Sequence, residues 1–185
     1  PEAQMDRFMF KLIVPNPSLD ELMDIVSLTQ KTMAEVAEAA CSGEELLEMR
    51  AVANSIPVAD DVLRYAMTLC SATHPDSECA SAAAKKYVRL GASPRAGQAL
   101  ISAAKVHALM AGRYNVAYSD LNELAYPVLR HRMKLNFEAV AERISPDEIV
   151  KQIVEEVSAK FKGGEKKNEE VEVTEVKKKS FFGKK

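Results

Sequence analysis

The stretch "VRLGASPRAGQALISAAKV", residues 88–106, decides the fold class because it holds the strongest helix start in the chain. Ser93 is a typical N-cap, Pro94 suits the first helical position, and Gly112 supplies the stop. Arg95 falls in the first turn, where free N–H groups and the helix dipole already make the helix end positive. The stretch therefore predicts a helix, and it raises the question of which anion Arg95 meets.

Helix signals continue on both sides of this stretch, from Ser18 to Phe161. The last helix opens at Ser145, and its apolar residues recur at the three-and-four spacing that indicates core packing. A loop is predicted over residues 74–90. The pattern predicts an all-α helical bundle, whose other helices cover about 18–29, 31–40, 44–54 and 59–73 and begin again at Ser119.

Residues 8–14, "FMFKLIV", are the exception to the helical pattern. They read as one short strand, apolar on both faces, which Pro15 and Pro17 end. A single buried strand cannot satisfy its backbone groups without neighbours, and Pro1 lies in the middle of a stretch that looks helical, "PEAQMDRF". We therefore expect the chain to be the C-terminal piece of a larger protein that holds the rest of the sheet.

Composition narrows the class of protein. The chain has 185 residues, 47% of them hydrophobic and 28% charged, which predicts one medium-sized core with an unstructured end. A net charge of −2 argues against nucleic-acid binding, and no apolar run is long enough to insert directly into a membrane. The three cysteines form an odd set without CxxC spacing or a signal segment, which indicates the cytoplasm.

The segment from Lys162 onward differs from the body of the chain. It carries eight lysines against five glutamates and opens with Gly163 and Gly164. Few of its residues could offset the entropy of ordering the chain, so a disordered tail is predicted over 162–185. Two alternatives stay open: "VEVTEV" alternates as a short strand does, and the lysines with Phe181 and Phe182 could form a docking end.

The sequence contains no complete catalytic site. The histidines His74, His107 and His131 are too scattered for a metal site, and neither HExxH nor paired Cys/His spacing occurs, so no metal is predicted. Serine, histidine and aspartate do not meet in a nucleophile-elbow context, and no GxxxxGK[ST] phosphate loop is present.

What remains is a set of arginines at unusual positions. Arg7 reads as a solvated helix-end residue paired with Asp6, or as a functional group. Arg95 reaches solvent or a nearby carboxylate, or it joins backbone N–H groups around a phosphate. Arg130 and Arg132, in "VLRHRM", read as a basic helix end that suits the helix dipole, with an interface role for Arg130 as the alternative.

Two stretches of the chain resemble one family. Residues 1–18, "PEAQMDRFMFKLIVPNPS", are similar to the end of the nucleotide-binding core of MoxR-type AAA+ ATPases. Residues 88–137 contain GASPRA, GRYNV and LRHR in the family's order and spacing, and they resemble its C-terminal helical lid. The likeness covers about residues 1–157, and magnesium chelatase subunits resemble the chain less closely. It implies the end of the α/β core over 1–17, with the arginine-finger segment and one leftover strand, and the helical lid over 18–161, which the tail predicted from composition over 162–185 follows.

The resemblance implies roles for two of the arginines. Arg95 would be the sensor 2 residue, which approaches the γ-phosphate of ATP in its own subunit, with Pro94 and Ala96 beside the nucleotide. Arg7 would be the arginine finger, which reaches the γ-phosphate held by the neighbouring subunit. The family's Walker A lysine, Walker B acids and sensor 1 residue are not among these 185 residues. We therefore expect the chain alone neither to hydrolyse ATP nor to bind ATP and Mg²⁺ tightly.

The resemblance also implies partners for the full-length protein. It would form a homo-oligomeric ring, with a hexamer as the expected size, and use ATP hydrolysis to remodel or assemble other proteins. Those proteins commonly carry a von Willebrand factor A domain. A different class stays open, a freestanding helical adaptor that binds proteins without nucleotide. The strand at 8–14 and the position of Pro1 favour the ATPase.

Overall fold

The computed structural model describes the backbone of residues 2–30 and 38–161 and the side chains from residue 4 onward. Pro1, most of the helix predicted over 31–40 and the tail predicted from Lys162 lie outside the described residues. The described residues form two compact units: residues 2–11 with 56–161, and residues 12–55. The domain boundaries after residues 17 and 161 remain a prediction.

Helices dominate both units, which confirms the all-α fold class. A small antiparallel sheet pairs two short strands, Val88 opposite Leu135 and Leu90 opposite Lys134. In chain order the elements are α1 Glu2–Met5, α2 Leu19–Gln30, α3 Gly43–Ser55, α4 Asp60–Ser71, α5 Ala82–Tyr87, β1 Val88–Leu90, α6 Pro94–Met110, α7 Tyr118–Leu129, β2 Lys134–Leu135, α8 Phe137–Ala141 and α9 over 146–161.

The predicted helix starts are confirmed where the capping residues are strong. Ser145 Oγ accepts the Glu148 N–H at 3.2 Å while the Glu148 carboxylate accepts the Ser145 N–H at 2.7 Å, which is the reciprocal capping box. Ser18 and Glu21 form the same box at the start of α2. Helix α7 begins at Tyr118, one residue before the predicted position. Local capping chemistry therefore fixed most boundaries to within a few residues.

The larger unit has a continuous core built mainly by α4, α6, α7 and α9. The apolar face predicted for the last helix is confirmed, because Ile149, Ile153 and Val157 on α9 are buried. The Tyr65 hydroxyl, on α4, donates to Asn122 Oδ1 at 2.6 Å, and it lies 2.7 Å from Ser158 Oγ, so the buried ring keeps its polar partners. Packing in this core fixes the positions of the ends of α4 and α6.

The loop predicted over residues 74–90 was wrong in its second half. Residues 82–87 form α5 and residues 88–90 form β1. Ser81 caps the short helix by accepting the Ala84 N–H at 3.0 Å, and Ala83 and Ala84 are buried in the core. A helix of six residues has too little length for apolar periodicity to reveal it, and its stability comes from burial.

The strand predicted over residues 8–14 has no strand partner among the described residues. Within the described ranges the sheet consists of β1 and β2, and residues 8–14 pair with neither strand. Instead, the Lys11 N–H donates to the carbonyl of Pro127, in α7, at 2.9 Å. Part of the backbone of this segment therefore finds its partner on a helix end of the same chain.

The smaller unit contains α2 and α3. Each begins with a capping box, Ser18 with Glu21 and Ser42 with Glu45. Neither helix buries a residue, and their apolar side chains, such as Leu28, are exposed. Across the described ranges, none of the helices combines the length and apolar character needed to cross a membrane.

Candidate functional site

The start of α6 has the geometry that the sequence predicted. Ser93 is the N-cap, with extended backbone at φ −67° and ψ 167°, and its Oγ accepts the Arg95 N–H at 3.3 Å. The Ala96 N–H donates to the Ser93 carbonyl at 2.9 Å, and Pro94 has no N–H. The N–H groups of Arg95 and Ala96 are therefore engaged within the chain, and the Arg95 side chain adds a guanidinium at this end of the helix.

Residues at the end of α4 hold the loop before α6, residues 91–93, through hydrogen bonds. The Ala92 N–H donates to Thr73 Oγ1 at 2.9 Å, and His74 Nε2 lies 2.8 Å from the Ala92 carbonyl oxygen. A Cβ atom on Gly91 would lie 2.6 Å from the His74 ring, so only glycine fits there without movement. Thr73 and His74 thus position the start of α6. Sequence reasoning missed both, because neither has a motif that distinguishes it from other residues at a helix end.

Arg95 meets an anion, and that anion is a carboxylate of the same chain. Its Nη1 lies 3.4 Å from Asp6 Oδ2, while 57% of its side-chain surface stays exposed. Ser93 Oγ donates to the same carboxylate, at 2.8 Å from Oδ2 and 3.0 Å from Oδ1. The alternative that paired Asp6 with Arg7 is wrong, because Asp6 faces the start of α6. An exposed pair of this length holds Arg95 only weakly.

Arg132 completes the surroundings of Asp6 from the buried side. Its side chain is 2% exposed, and its Nε lies 3.3 Å from Asp6 Oδ1. The guanidinium also donates to the carbonyls of Asp6 at 3.2 Å, Phe8 at 2.7 Å and Met9 at 3.1 Å, and to that of Val128. Burial lowers the pKa of Arg132, and the nearby Asp6 carboxylate opposes that shift. The expected basic helix end is instead an internal anchor for residues 6–9.

The two residues before Arg132 hold the same segment. Arg130 Nη1 donates to the Lys11 carbonyl at 3.2 Å, and Arg130 Nε pairs with Asp147 Oδ1 at 2.9 Å. His131 Nε2 lies 3.0 Å from the Phe8 carbonyl oxygen. Burial lowers the pKa of His131, which favours the neutral ring, and the contact with Phe8 opposes this shift. The "LRHR" run therefore binds the backbone of residues 6–11 through side chains.

Arg7 lies inside this anchored segment but takes no part in the anchoring. The residue is exposed, and within the described part of the chain its guanidinium has no hydrogen-bonding or ion-pair partner. Its backbone N–H donates to the Gln4 carbonyl at 3.2 Å. The structure thus fixes the backbone on both sides of Arg7 and leaves its charge free for another molecule.

The remaining predicted site residues differ in accessibility. Pro94 is exposed beside Arg95, whereas the side chain of Ala96 is fully buried in the core. Across residues 2–30 and 38–161, no group of three or more histidine, cysteine, aspartate or glutamate side chains could hold a metal ion. The arrangement can therefore bind an anion at Arg95, but it offers no built metal site among these residues.

Comparison with known proteins identifies relatives of this chain. Residues 80–153 match the family model of the AAA lid domain. The chain is 34% identical over 158 residues to Chaperone MoxR1 of Mycobacterium tuberculosis, which covers 85% of this chain and 42% of that protein. It is 34% identical over 160 residues to the uncharacterised protein YeaC of Bacillus subtilis, covering 85% of this chain and 47% of that one.

Two further likenesses extend the set. Protein MoxR of Paracoccus denitrificans is 31% identical over 149 residues, covering 74% of this chain and 43% of that protein. A solved structure described as a candidate ATPase of Cytophaga hutchinsonii superposes with a TM-score of 0.72 at 31% identity, over 84% of this chain and 47% of that one. The chain spans somewhat less than half the length of these relatives.

Proposed function

Because the chain belongs to the MoxR-type AAA+ ATPases and carries their lid domain, we propose that it supplies two arginines to ATP hydrolysis in a ring of identical subunits. In the full-length protein this hydrolysis would drive chaperone-like remodelling or assembly of partner proteins, with von Willebrand factor A domain proteins as the expected clients and a hexamer as the expected ring. A cytoplasmic location suits the free cysteines Cys41, Cys70 and Cys79.

The single observation that carries this proposal is the contact between Arg95 and a carboxylate at the start of α6. It supports a sensor 2 role, because a guanidinium placed against an anion and still 57% exposed can accept a phosphate in its stead. An exposed ion pair is worth roughly 0.2–1 kcal/mol, so a more highly charged phosphate could displace it. In the transition state Arg95 would stabilise the negative charge on the γ-phosphate oxygens.

Arg7 is proposed as the arginine finger of the neighbouring subunit's site. Its support is the free guanidinium on a backbone that Arg132 and His131 hold in place. An arginine supplied in trans contributes on the order of 10³ or more to the rate of phosphoryl transfer. Mg²⁺ and the β-phosphate would be held by parts of the ATPase other than the residues described here, among which no group of three or more His, Cys, Asp or Glu side chains could hold a metal ion.

The proposal is tested in the full-length protein with Arg95→Ala and Arg7→Ala. We expect each variant alone to lose most of its ATP turnover. Mixing the two should restore part of it, because a subunit with intact Arg95 can receive Arg7 from an Arg95→Ala neighbour. Arg89→Ala, an equal loss of charge at an exposed position of β1, is the control and should keep normal turnover.

The outcomes separate the roles. Normal turnover in Arg95→Ala would show that the sensor role is wrong. Loss of turnover in both variants without recovery on mixing would contradict a finger acting in trans. If both variants turned over ATP normally, neither arginine would serve hydrolysis, and protein binding by the helical lid would be the better description of this part of the ATPase.

A further inference from the structure

We propose that Asp6 is a positioning residue that ties the Arg7 segment to the start of α6 and serves as the counter-ion that Arg95 leaves when it binds a phosphate. The inference rests on the proposed function, since it concerns the same two arginines. It gives Asp6 a role other than the pairing with Arg7 expected from the sequence, and it links the two arginines through one carboxylate.

The Asp6 carboxylate is shared by three groups that belong to two distant parts of the lid. Ser93 Oγ donates at 2.8 and 3.0 Å and Arg95 Nη1 lies at 3.4 Å, both from the start of α6. Arg132 Nε lies at 3.3 Å on the other side. A carboxylate accepts several donors at once, so Asp6 can join the helix start to the buried arginine.

The two arginines around Asp6 differ in what they are free to do. Arg132 is 2% exposed and bound to four backbone carbonyls, so its guanidinium cannot leave without stranding a buried charge. Arg95 is 57% exposed, and its distance of 3.4 Å to the Asp6 carboxylate is longer than those of Ser93 and Arg132. When an anion competes, Arg95 is therefore the partner that departs, and Asp6 stays with Ser93 and Arg132.

The same contacts place Arg7. Arg132 takes the carbonyls of Asp6 and Phe8, the residues on either side of Arg7, while the Asp6 side chain is fastened to Ser93. The backbone of Arg7 thus follows the start of α6 through Asp6. If the lid shifts when one subunit binds or hydrolyses its nucleotide, the Arg7 that this subunit supplies to its neighbour would move as well. The Asp6 carboxylate would in this way couple the nucleotide sites of neighbouring subunits.

Removing the Asp6 charge has two separable consequences. Arg95 loses a competitor, so a ligand with a γ-phosphate should bind more tightly, by about two- to fivefold for an exposed pair. ADP has no γ-phosphate and should bind as before. The Arg7 segment loses its fastening to α6, so kcat should fall while nucleotide affinity rises. A general loss of structure would weaken binding of both nucleotides.

The experiment uses the full-length protein with Asp6→Asn, which keeps the size and an acceptor for Ser93, and Asp6→Ala, which keeps neither. Calorimetric titration measures the Kd for a non-hydrolysable ATP analogue and for ADP. Steady-state kinetics measures kcat, and hydrogen exchange follows residues 4–11. We expect tighter binding of the ATP analogue only, lower kcat, and faster exchange in Asp6→Ala. Asp76→Asn, at an exposed position of the same unit, should change none of these.

The same substitution in the Arg95→Ala variant tests whether the tighter binding of the ATP analogue depends on Arg95. In Arg95→Ala, adding Asp6→Asn should no longer change the Kd for the ATP analogue, because no competition remains to relieve. Unchanged or weaker binding of the analogue in Asp6→Asn alone, or the same gain without Arg95, would overturn the counter-ion role. Unchanged exchange of residues 4–11 in Asp6→Ala would overturn the positioning role, and this readout does not depend on ATPase activity.

Failure of the inference and failure of the proposed function look different. If Arg95→Ala and Arg7→Ala lose turnover while Asp6→Asn leaves both Kd values unchanged, the ATPase roles stand and the counter-ion role of Asp6 is wrong. If the two arginine variants turn over ATP normally, the proposed function is wrong. The exchange of residues 4–11 then decides whether Asp6 fastens the segment at all.

Discussion

At the scale of single residues, close approach decides which positions tolerate change. Gly91 lies against the ring of His74, which is pinned because its Nε2 is 2.8 Å from the Ala92 carbonyl oxygen. A Cβ atom added to Gly97, inside α6, would likewise lie 2.6 Å from the Cε atom of Met67. The two glycines differ in their neighbour, since Met67 is a flexible side chain whose surface is partly exposed.

Gly91→Ala should destabilise the chain by about 1–3 kcal/mol, because the added Cβ must displace a ring that is hydrogen-bonded in place. Gly97→Ala is the matched control and should be neutral or stabilising by up to about 1 kcal/mol, because alanine is a better helix former and Met67 can move aside. Urea denaturation of both variants measures the free energies of unfolding. Equal effects at the two positions would contradict this assignment of the rigid neighbour.

At the scale of elements, one buried carboxylate links the end of α6 to the start of α7. Asp120 is 1% exposed and accepts the Ala117 N–H at 2.8 Å and Arg113 Nη1 at 2.9 Å, with His107 Nδ1 at 2.7 Å. Burial raises the pKa of Asp120, but the hydrogen bonds from Arg113, Ala117 and His107 together outweigh it and bring the pKa to about 2. The ionised form is therefore the one that stabilises the turn between these helices.

The stability contributed by Asp120 should depend on pH with a definite sign. Its folded-state pKa of about 2 lies below the ordinary 3.8, so the contribution is fully present above about pH 4 and is lost as the pH falls toward 2. The shift corresponds to about 2 kcal/mol. Asp120→Asn should lower the free energy of unfolding at pH 7 by about this amount, and the difference from the wild type should shrink between pH 4 and pH 2.

Urea unfolding midpoints at pH 7, 4 and 2.5 provide the measurement. Glu123→Gln is the control, because Glu123 is 69% exposed and its contact with His107 Nε2 at 3.3 Å is a surface pair worth roughly 1 kcal/mol or less. A difference between Asp120→Asn and the wild type that stayed constant down to pH 2.5 would show that packing, and not charge, gives Asp120 its effect.

At the scale of the whole molecule, the two compact units differ in how they are stabilised. In the larger unit the helices α4, α6, α7 and α9 bury a shared core. In the unit of residues 12–55, α2 and α3 have capping boxes but bury no residue. Caps of this kind contribute about 1 kcal/mol each, far less than a buried apolar face, so the smaller unit should open more readily.

Hydrogen exchange of the 185-residue chain should reveal this difference. Amides of α6 and α9 should exchange through global unfolding, whereas those of α2 and α3 should exchange by local opening and be many-fold faster. Leu100→Ala, which empties a fully buried site in α6, should speed exchange in α6 and α9 and leave α2 and α3 unchanged. Equal protection of α3 and α6 would show that the smaller unit is stabilised by more than its caps.

Sequence reasoning succeeded where the signal is local. Ser18, Ser93 and Ser145 each act within three residues of themselves, and their helices begin where capping predicts. It failed for α5, because six residues show no period. Ser119 as the start of α7 missed by one residue, since Asp120 caps the helix from inside.

Residues 88–106 show which features depend on the local sequence and which depend on the folded structure. By itself the sequence determined a helix that starts after Ser93, an arginine in its first turn and the likeness to an ATPase lid, because each of these depends on residues close together in the chain. Only the tertiary structure decided that the anion at Arg95 is Asp6, 89 positions away, and that Arg132 is buried against the backbone of residues 6–9. The physical reason is that a charge finds its partner by proximity after folding, and no local pattern encodes a contact across 80 or more residues.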